Sequence, residues 1–101
     1  MGRHVFISYS SRDRATADAV CAFLEARQIR CWIAPRDVPP GAIFAEVLID
    51  AIDTSGAFVL IFSEGSNKSG HVINEVSEAA DKLIPIIPLR TQDVMWSKAM
   101  G

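Results

Sequence analysis

Long apolar runs are missing from this 101-residue sequence. Half of its residues are hydrophobic, yet no stretch approaches the roughly 20 needed to cross a bilayer, so a soluble, cytoplasmic chain with no membrane partner is expected. A secretory signal is lacking too. Met1-Gly2 invites myristoylation, but Phe6 stands where that motif wants Ser or Thr. Charge of one sign is not in excess: 10 basic and 12 acidic residues leave a net charge of −2, which gives no electrostatic reason to expect a nucleic-acid partner. Cysteine is scarce. Cys21 falls in a helical pattern and Cys31 in a strand-like one, with no CxxC or Cys/His clustering, so both read as buried small residues in a reducing compartment rather than metal ligands. His4 and His71 are too far apart in sequence to change that expectation, and no metal is predicted. Repeats and low-complexity linkers are absent, and the length suits one domain over residues 1–101.

What the sequence does have is concentrated in Ala57 to Lys82. Ala57 to Phe62 is an unbroken apolar segment, as in an inner parallel strand. Ser63, Gly65, Ser66, Asn67, Ser69 and Gly70 make a turn, after which Val72, Ile73, Val76, Ala79, Ala80 and Leu83 recur at helical spacing. The helix is predicted to begin near Ser69. At about 100° per residue, Glu75 sits roughly 90° from the centre of that stripe, on its flank. Glu78 points away and precedes Lys82 by four residues, the arrangement of a weak surface pair. Glu75 is the odd carboxylate, near the loop that leaves the C-terminal end of a central strand, where open α/β sheets bind ligands. On this geometry alone a boundary glutamate without a role is the favoured reading.

His4 to Tyr9 predicts strand A, and Ser10 with Asp13 resembles a capping box ahead of a helix with Ala15, Ala19, Val20, Phe23 and Leu24 on its face. Ile29 to Ile33 predicts strand B. Pro35, Pro39 and Pro40 then exclude a regular element and stiffen a loop through Gly41. Ile43, Phe44, Val47, Leu48, Ala51 and Ile52 mark a well-buried helix, ended by Asp53-Thr54-Ser55-Gly56 before strand C at Ala57. Leu83 to Leu89 is apolar enough for a fourth strand, D, which Pro85 and Pro88 consign to an edge. Strand and helix alternate, which predicts an α/β, three-layer, flavodoxin-like fold with a parallel sheet in the order B-A-C-D. The winding reverses between A and C. A cleft is expected there, walled by the loops Ser8 to Asp13 and Ser63 to Gly70 and by the proline loop.

Three segments in this order, HVFISYSSRD, IRCWIAPRDVPPG and FVLIFSEGSNKSGHVINEV, resemble the Toll/interleukin-1 receptor (TIR) domain family, particularly its bacterial members. The first is similar to the family's strand A signature, the second to strand B with its BB loop, the third to the strand C segment bearing the catalytic glutamate of enzymatic members. The resemblance implies an NAD+ nucleosidase that cleaves the nicotinamide–ribose bond to give nicotinamide and ADP-ribose or its cyclic form, with NAD+ as substrate and no cofactor. By position Glu75 is then catalytic, while Ser8, Arg12, Pro35, Arg36, Ser63, Lys68 and His71 are expected to bind substrate, Arg12 and Lys68 facing the pyrophosphate. His71 stands where several enzymatic members have Trp. The resemblance also implies self-association through the BB loop, here Asp37, Val38, Pro39, Pro40 and Gly41, and a sensor domain on the parent chain of a bacterial antiviral defence or signalling protein. A non-catalytic TIR–TIR interaction module is the alternative. Family members continue with a further strand and helix, so a partial domain is expected.

Overall fold

The computed structural model describes residues 3–63 and 70–90. Four parallel strands, β1 (Val5–Ser8), β2 (Cys31–Trp32), β3 (Ala57–Phe62) and β4 (Ile86–Arg90), form one sheet in the order β2-β1-β3-β4. This is the expected order B-A-C-D, with crossover helices α1 (Arg14–Ala26), α2 (Phe44–Asp53) and α3 (Gly70–Asp81). Among the described residues no helix is long and apolar enough to cross a membrane.

Period-2 alternation in the two inner strands sends side chains to both faces. Phe6 and Phe58 pack with Leu48, Ala51, Ile52 and Ala79 under α2 and α3. Ile7, Val59 and Ile61 pack with Ala17, Cys21 and Cys31 under α1. On the first face the rings of Trp32, Phe6 and Phe58 stack in a row across β2, β1 and β3, with centroids 5.2 and 5.4 Å apart. Of this row, Phe6 lines the hollow beside the C-terminal end of β1.

Several local expectations change. β2 shrinks to two residues, because beyond Trp32 the chain turns at once into the proline loop. The face of α1 is Ala17, Val20, Cys21 and Leu24, at i, i+3, i+4 and i+7, while Phe23 is 55% exposed and carries the Arg27 guanidinium 3.8 Å above its ring. No capping box forms at Ser10: its hydroxyl reaches the Asp13 carboxylate, not a backbone amide, and a 3-10 turn at Ser11–Asp13 intervenes before α1. α1 and α3 each end with a non-glycine residue in the left-handed region, Gln28 at φ 66° and Leu83 at φ 59°. At each end the next amide bonds five residues back, Ile29 N–H to Leu24 O and Ile84 N–H to Ala79 O, both at 3.0 Å, which closes a Schellman motif. Leu83 therefore leaves the helix face and is 89% exposed. β4 is outermost among the described strands, a place that suits Pro88, which lies beside Leu60 and has no N–H to offer a further neighbour.

Candidate functional site

The side chain that departs most from its expected place is Glu75. It is 8% exposed, not a flank residue. The buried face of α3 is set by Val72 and Ala79, whereas Ile73 is exposed and Val76 only partly covered. Glu75 lies about 50° from the mean direction of Val72 and Ala79 at 100° per residue, so the helix turns the carboxylate toward the sheet. It arrives over the last residue of β1, where the Ser8 hydroxyl, itself 1% exposed, donates a 2.7 Å hydrogen bond to Glu75 Oε1. Ser8 was expected to bind substrate; its enclosed hydroxyl is bonded to the carboxylate.

Glu75 stands at the junction of two hollows. One, of about 360 Å³, opens at the C-terminal ends of β1 and β2 and is lined by Tyr9, Ser11, Arg14, Pro35, Phe44 and Glu75 among others. The second, of about 280 Å³, runs between α2 and α3 past Ile49, Asn74 and Glu78 and shares Phe44, Leu48 and Glu75 with the first. The larger adjoins the C-terminal end of β1, one of the two strands between which the winding reverses, and two of its expected walls line it, the loop after β1 and the proline loop. Tyr9 braces its wall, donating from its hydroxyl to the Ala34 carbonyl at 2.5 Å. Burial, the largest influence, pushes the Tyr9 phenol above its ordinary range.

Of the expected substrate-binding residues, Pro35 lines the cleft with Glu75, and Ser8 reaches it only through its bond to Glu75. Arg12 is exposed and is not among the lining residues; the 3-10 turn places Arg14 there instead, 3.4 Å from Asp18. Ser63 is used elsewhere. Its hydroxyl donates to Asp13 Oδ2 at 2.5 Å, and Ser10 donates to the same oxygen, which ties the loop after β3 to the loop after β1. Arg36 is turned away toward α1. It forms a bidentate pair with Glu25 at 3.0 and 2.9 Å, reaches Cys31 O at 3.1 Å and holds Asp37 at 2.9 Å. Those bonds lower the Glu25 carboxyl below its ordinary value, chiefly through the Arg36 hydrogen bond. Arg36 is thus a loop anchor and not a cleft cation. His71 is in α3, one turn before Glu75, with its side chain outside the described residues, as is all of Lys68.

Asp37, expected as an interaction residue, is also structural, because its Oδ2 accepts the Ile33 amide at 2.9 Å. Val38 is half-buried, while Pro39, Pro40 and Gly41 form the exposed tip. Gly41 has φ +81°, a conformation side chains other than glycine's rarely adopt. Glu78 is not a simple surface partner of Lys82. Lys82 lies 3.5 Å from Asp53 and 3.9 Å from Glu78, and Asp53 Oδ1 is buried without a hydrogen-bond partner among the described residues. A hydrogen bond with Asp53 is the first cause of a Glu78 carboxyl raised above its ordinary range.

Sequence reasoning missed Arg14 and Phe44, whereas Tyr9 and Ser11 lie in the loop Ser8 to Asp13 that was expected to wall the cleft. Phe44, expected on a well-buried helix face, is 52% exposed; its legible signal was an aromatic opening a helix just after a stiff loop. The two cysteines, treated separately in the sequence, also meet. The ligand atoms of Cys21, Glu25 and Cys31 all lie within 4.8 Å of one another, because β2 runs directly beneath α1. Burial pushes both thiols up, Cys31 to about 12.

Comparison with known proteins bears on the whole arrangement. The sequence profile of the TIR domain matches residues 5–99. The stimulator of interferon genes protein of Magallana gigas is 36% identical over 67 residues, 65% of this chain but 16% of that protein. The TIR domain of the Toll-related receptor TRR-2 from Hydra magnipapillata superimposes with a TM-score of 0.80 at 27% identity, covering 90% of this chain and 72% of that one. A metazoan TIR-STING receptor from C. gigas gives 0.77 at 28%, covering 91% and 32%. These relatives are metazoan, so they lend no support to the specifically bacterial resemblance. The chain spans only 16% and 32% of the Magallana gigas and C. gigas proteins that it matches, and with this flavodoxin-like sheet and a profile match over nearly all of its length, it belongs to the TIR domain family.

Proposed function

We propose that this domain is an NAD+ glycohydrolase in which Glu75 is the catalytic carboxylate. The observation that carries the reading is a carboxylate 8% exposed, oriented by the 2.7 Å Ser8 bond, in the wall of a cleft at the C-terminal ends of β1 and β2. Nicotinamide is already cationic in NAD+ and leaves neutral, so no general acid is required. The ribose is left with oxocarbenium character, which a fixed carboxylate stabilises without reorganising during the reaction. Ser8 contributes by fixing that carboxylate. Arg14 is the cleft cation available to a pyrophosphate and Tyr9 and Phe44 offer faces to a ring, in place of Arg12 and Arg36.

The domain would act as the effector module of a larger signalling protein, a reading supported by its covering 32% of the C. gigas TIR-STING receptor chain. Self-association through the Pro39–Gly41 tip would complete the cleft. The test is incubation with NAD+, concentrated or on a scaffold, with detection of free nicotinamide. Activity lost in Glu75→Gln and kept in Glu78→Gln supports the assignment; equal activity in both folded variants overturns it.

A non-catalytic interaction module is favoured by one observation, the exposure of Ile43, Phe44, Ile49 and Ile73 at 62, 52, 47 and 54% along α2 and α3. Such a patch suits packing against another protein. Absence of nicotinamide release from an assembled, folded sample selects this second reading.

A further inference from the structure

Away from the cleft, α1 and β2 converge on two thiols and a carboxylate. Cys21 and Glu25 are one helical turn apart, and Cys31 opens the strand below them, with the three ligand atoms within 4.8 Å of one another. We propose that Cys21, Glu25 and Cys31 form a binding site for a thiophilic divalent cation of the zinc class, which enters in exchange for the Arg36 guanidinium. Two sulfur donors and one oxygen suit such an ion. Bonds near 2.3 Å to sulfur and 2.0–2.2 Å to oxygen set neighbouring ligands about 3.5–3.8 Å apart in a tetrahedron, within side-chain adjustment of the observed spacing.

A second observation points to the same place: a cation already occupies it. Arg36 Nη1 lies 3.0 Å from Glu25 Oε1 and 3.5 Å from Cys21 Sγ, and Nη2 lies 2.9 Å from Glu25 Oε2 and 3.1 Å from Cys31 O. The pocket is therefore built for positive charge. On metal entry two S–H bonds break and their protons go to solvent, two metal–sulfur bonds and one metal–oxygen bond form, and the Arg36–Glu25 pair opens. Two thiolates and a carboxylate against a divalent ion leave one negative charge. Glu25, with its side chain 37% exposed, gives solvent access for a fourth ligand.

The sequence has two cysteines in all, so any thiolate signal reports this pair. The 101-residue chain, reduced with a phosphine, is titrated with Co2+ and then challenged with Zn2+. A thiolate-to-cobalt charge-transfer band with tetrahedral d–d bands, saturating at one equivalent and erased by Zn2+, is the expected result. Cys21→Ser and Cys31→Ser should each abolish it, and Glu25→Gln should weaken binding about tenfold or more. Arg36→Gln should tighten binding by about tenfold, since it removes the competing cation, a gain worth about 1.4 kcal/mol. Circular dichroism establishes that each variant is folded. No band in excess Co2+, a band that survives Cys31→Ser, or an affinity indifferent to both Glu25→Gln and Arg36→Gln would each overturn the proposal.

Discussion

Ser8→Ala removes one oxygen from a site where both partners are enclosed, Ser8 at 1% and Glu75 at 8% exposure, so solvent cannot replace the lost donor cheaply. A hydrogen bond to a charged group is worth about 1.5–3 kcal/mol, and the 2.7 Å Ser8–Glu75 bond belongs in that class. The variant should lose stability by that amount in urea denaturation, on the order of 10 °C in Tm for a domain of this size. The cost should depend on Glu75. In a Glu75→Ala background, where no carboxylate remains to be oriented, Ser8→Ala should cost no more than about 0.5 kcal/mol. If it costs the same in both backgrounds, the hydroxyl contributes by packing and the idea of a fixed carboxylate fails. NAD+ cleavage by the single variant should fall in kcat more than it rises in KM, because a misoriented carboxylate loses transition-state stabilisation rather than substrate binding.

Glu75→Gln should reduce nicotinamide release by about a hundredfold or more while keeping the Ser8 bond; Glu75→Ala, because the residue is buried, should also lower the melting temperature, contrary to the behaviour of a flank position. Leu83→Gly should stabilise the domain by about 0.5–1 kcal/mol in the same denaturation assay, since φ 59° is unfavourable for leucine and an 89% exposed side chain has little packing to lose. The Glu78 carboxyl is raised by Asp53, so the folded chain holds that proton more tightly than the unfolded chain does. Stability should then fall as pH rises from the ordinary glutamate value of about 4.3 through the raised one. Glu78→Gln should flatten that decline in a series of thermal melts, and an unchanged slope would refute the Asp53 contact. Activity per subunit should climb with concentration if the exposed Pro39–Gly41 tip completes a neighbour's cleft. Gly41→Pro, impossible at φ +81°, should suppress that climb, whereas full activity in dilute monomer would give the loop another use.

Strand order, winding reversal and the position of the cleft were legible in the residues themselves, because alternating period-2 and helical patterns of this length admit few right-handed arrangements. Ala57–Phe62 reads as an inner strand from composition alone, since only a strand buried on both faces carries so continuous an apolar run. Side-chain direction was less legible. The apolar stripe of α3 counted Ile73, Ala80 and Leu83 equally with Val72 and Ala79, and so placed Glu75 on the flank. Only packing against β1 and α2, which covers Val72 and Ala79 and leaves Ile73 and Leu83 in solvent, rotates the carboxylate inward to Ser8, 67 residues away in the chain. The charged loop residues followed the same rule. Arg12 and Arg36 belong to loops at the correct end of the sheet, but which cation faces the cleft depends on a 3-10 turn that advances the chain to Arg14, and on Glu25 and Asp37, which draw Arg36 to the opposite face. The sequence by itself determined the family, the topology and the identity of the odd carboxylate, all of which rest on local pattern. The tertiary structure alone decided what that carboxylate touches, which arginine shares its cleft, and that two cysteines ten positions apart share one pocket with a glutamate, because each of these depends on surfaces that meet only when the helices dock on the sheet.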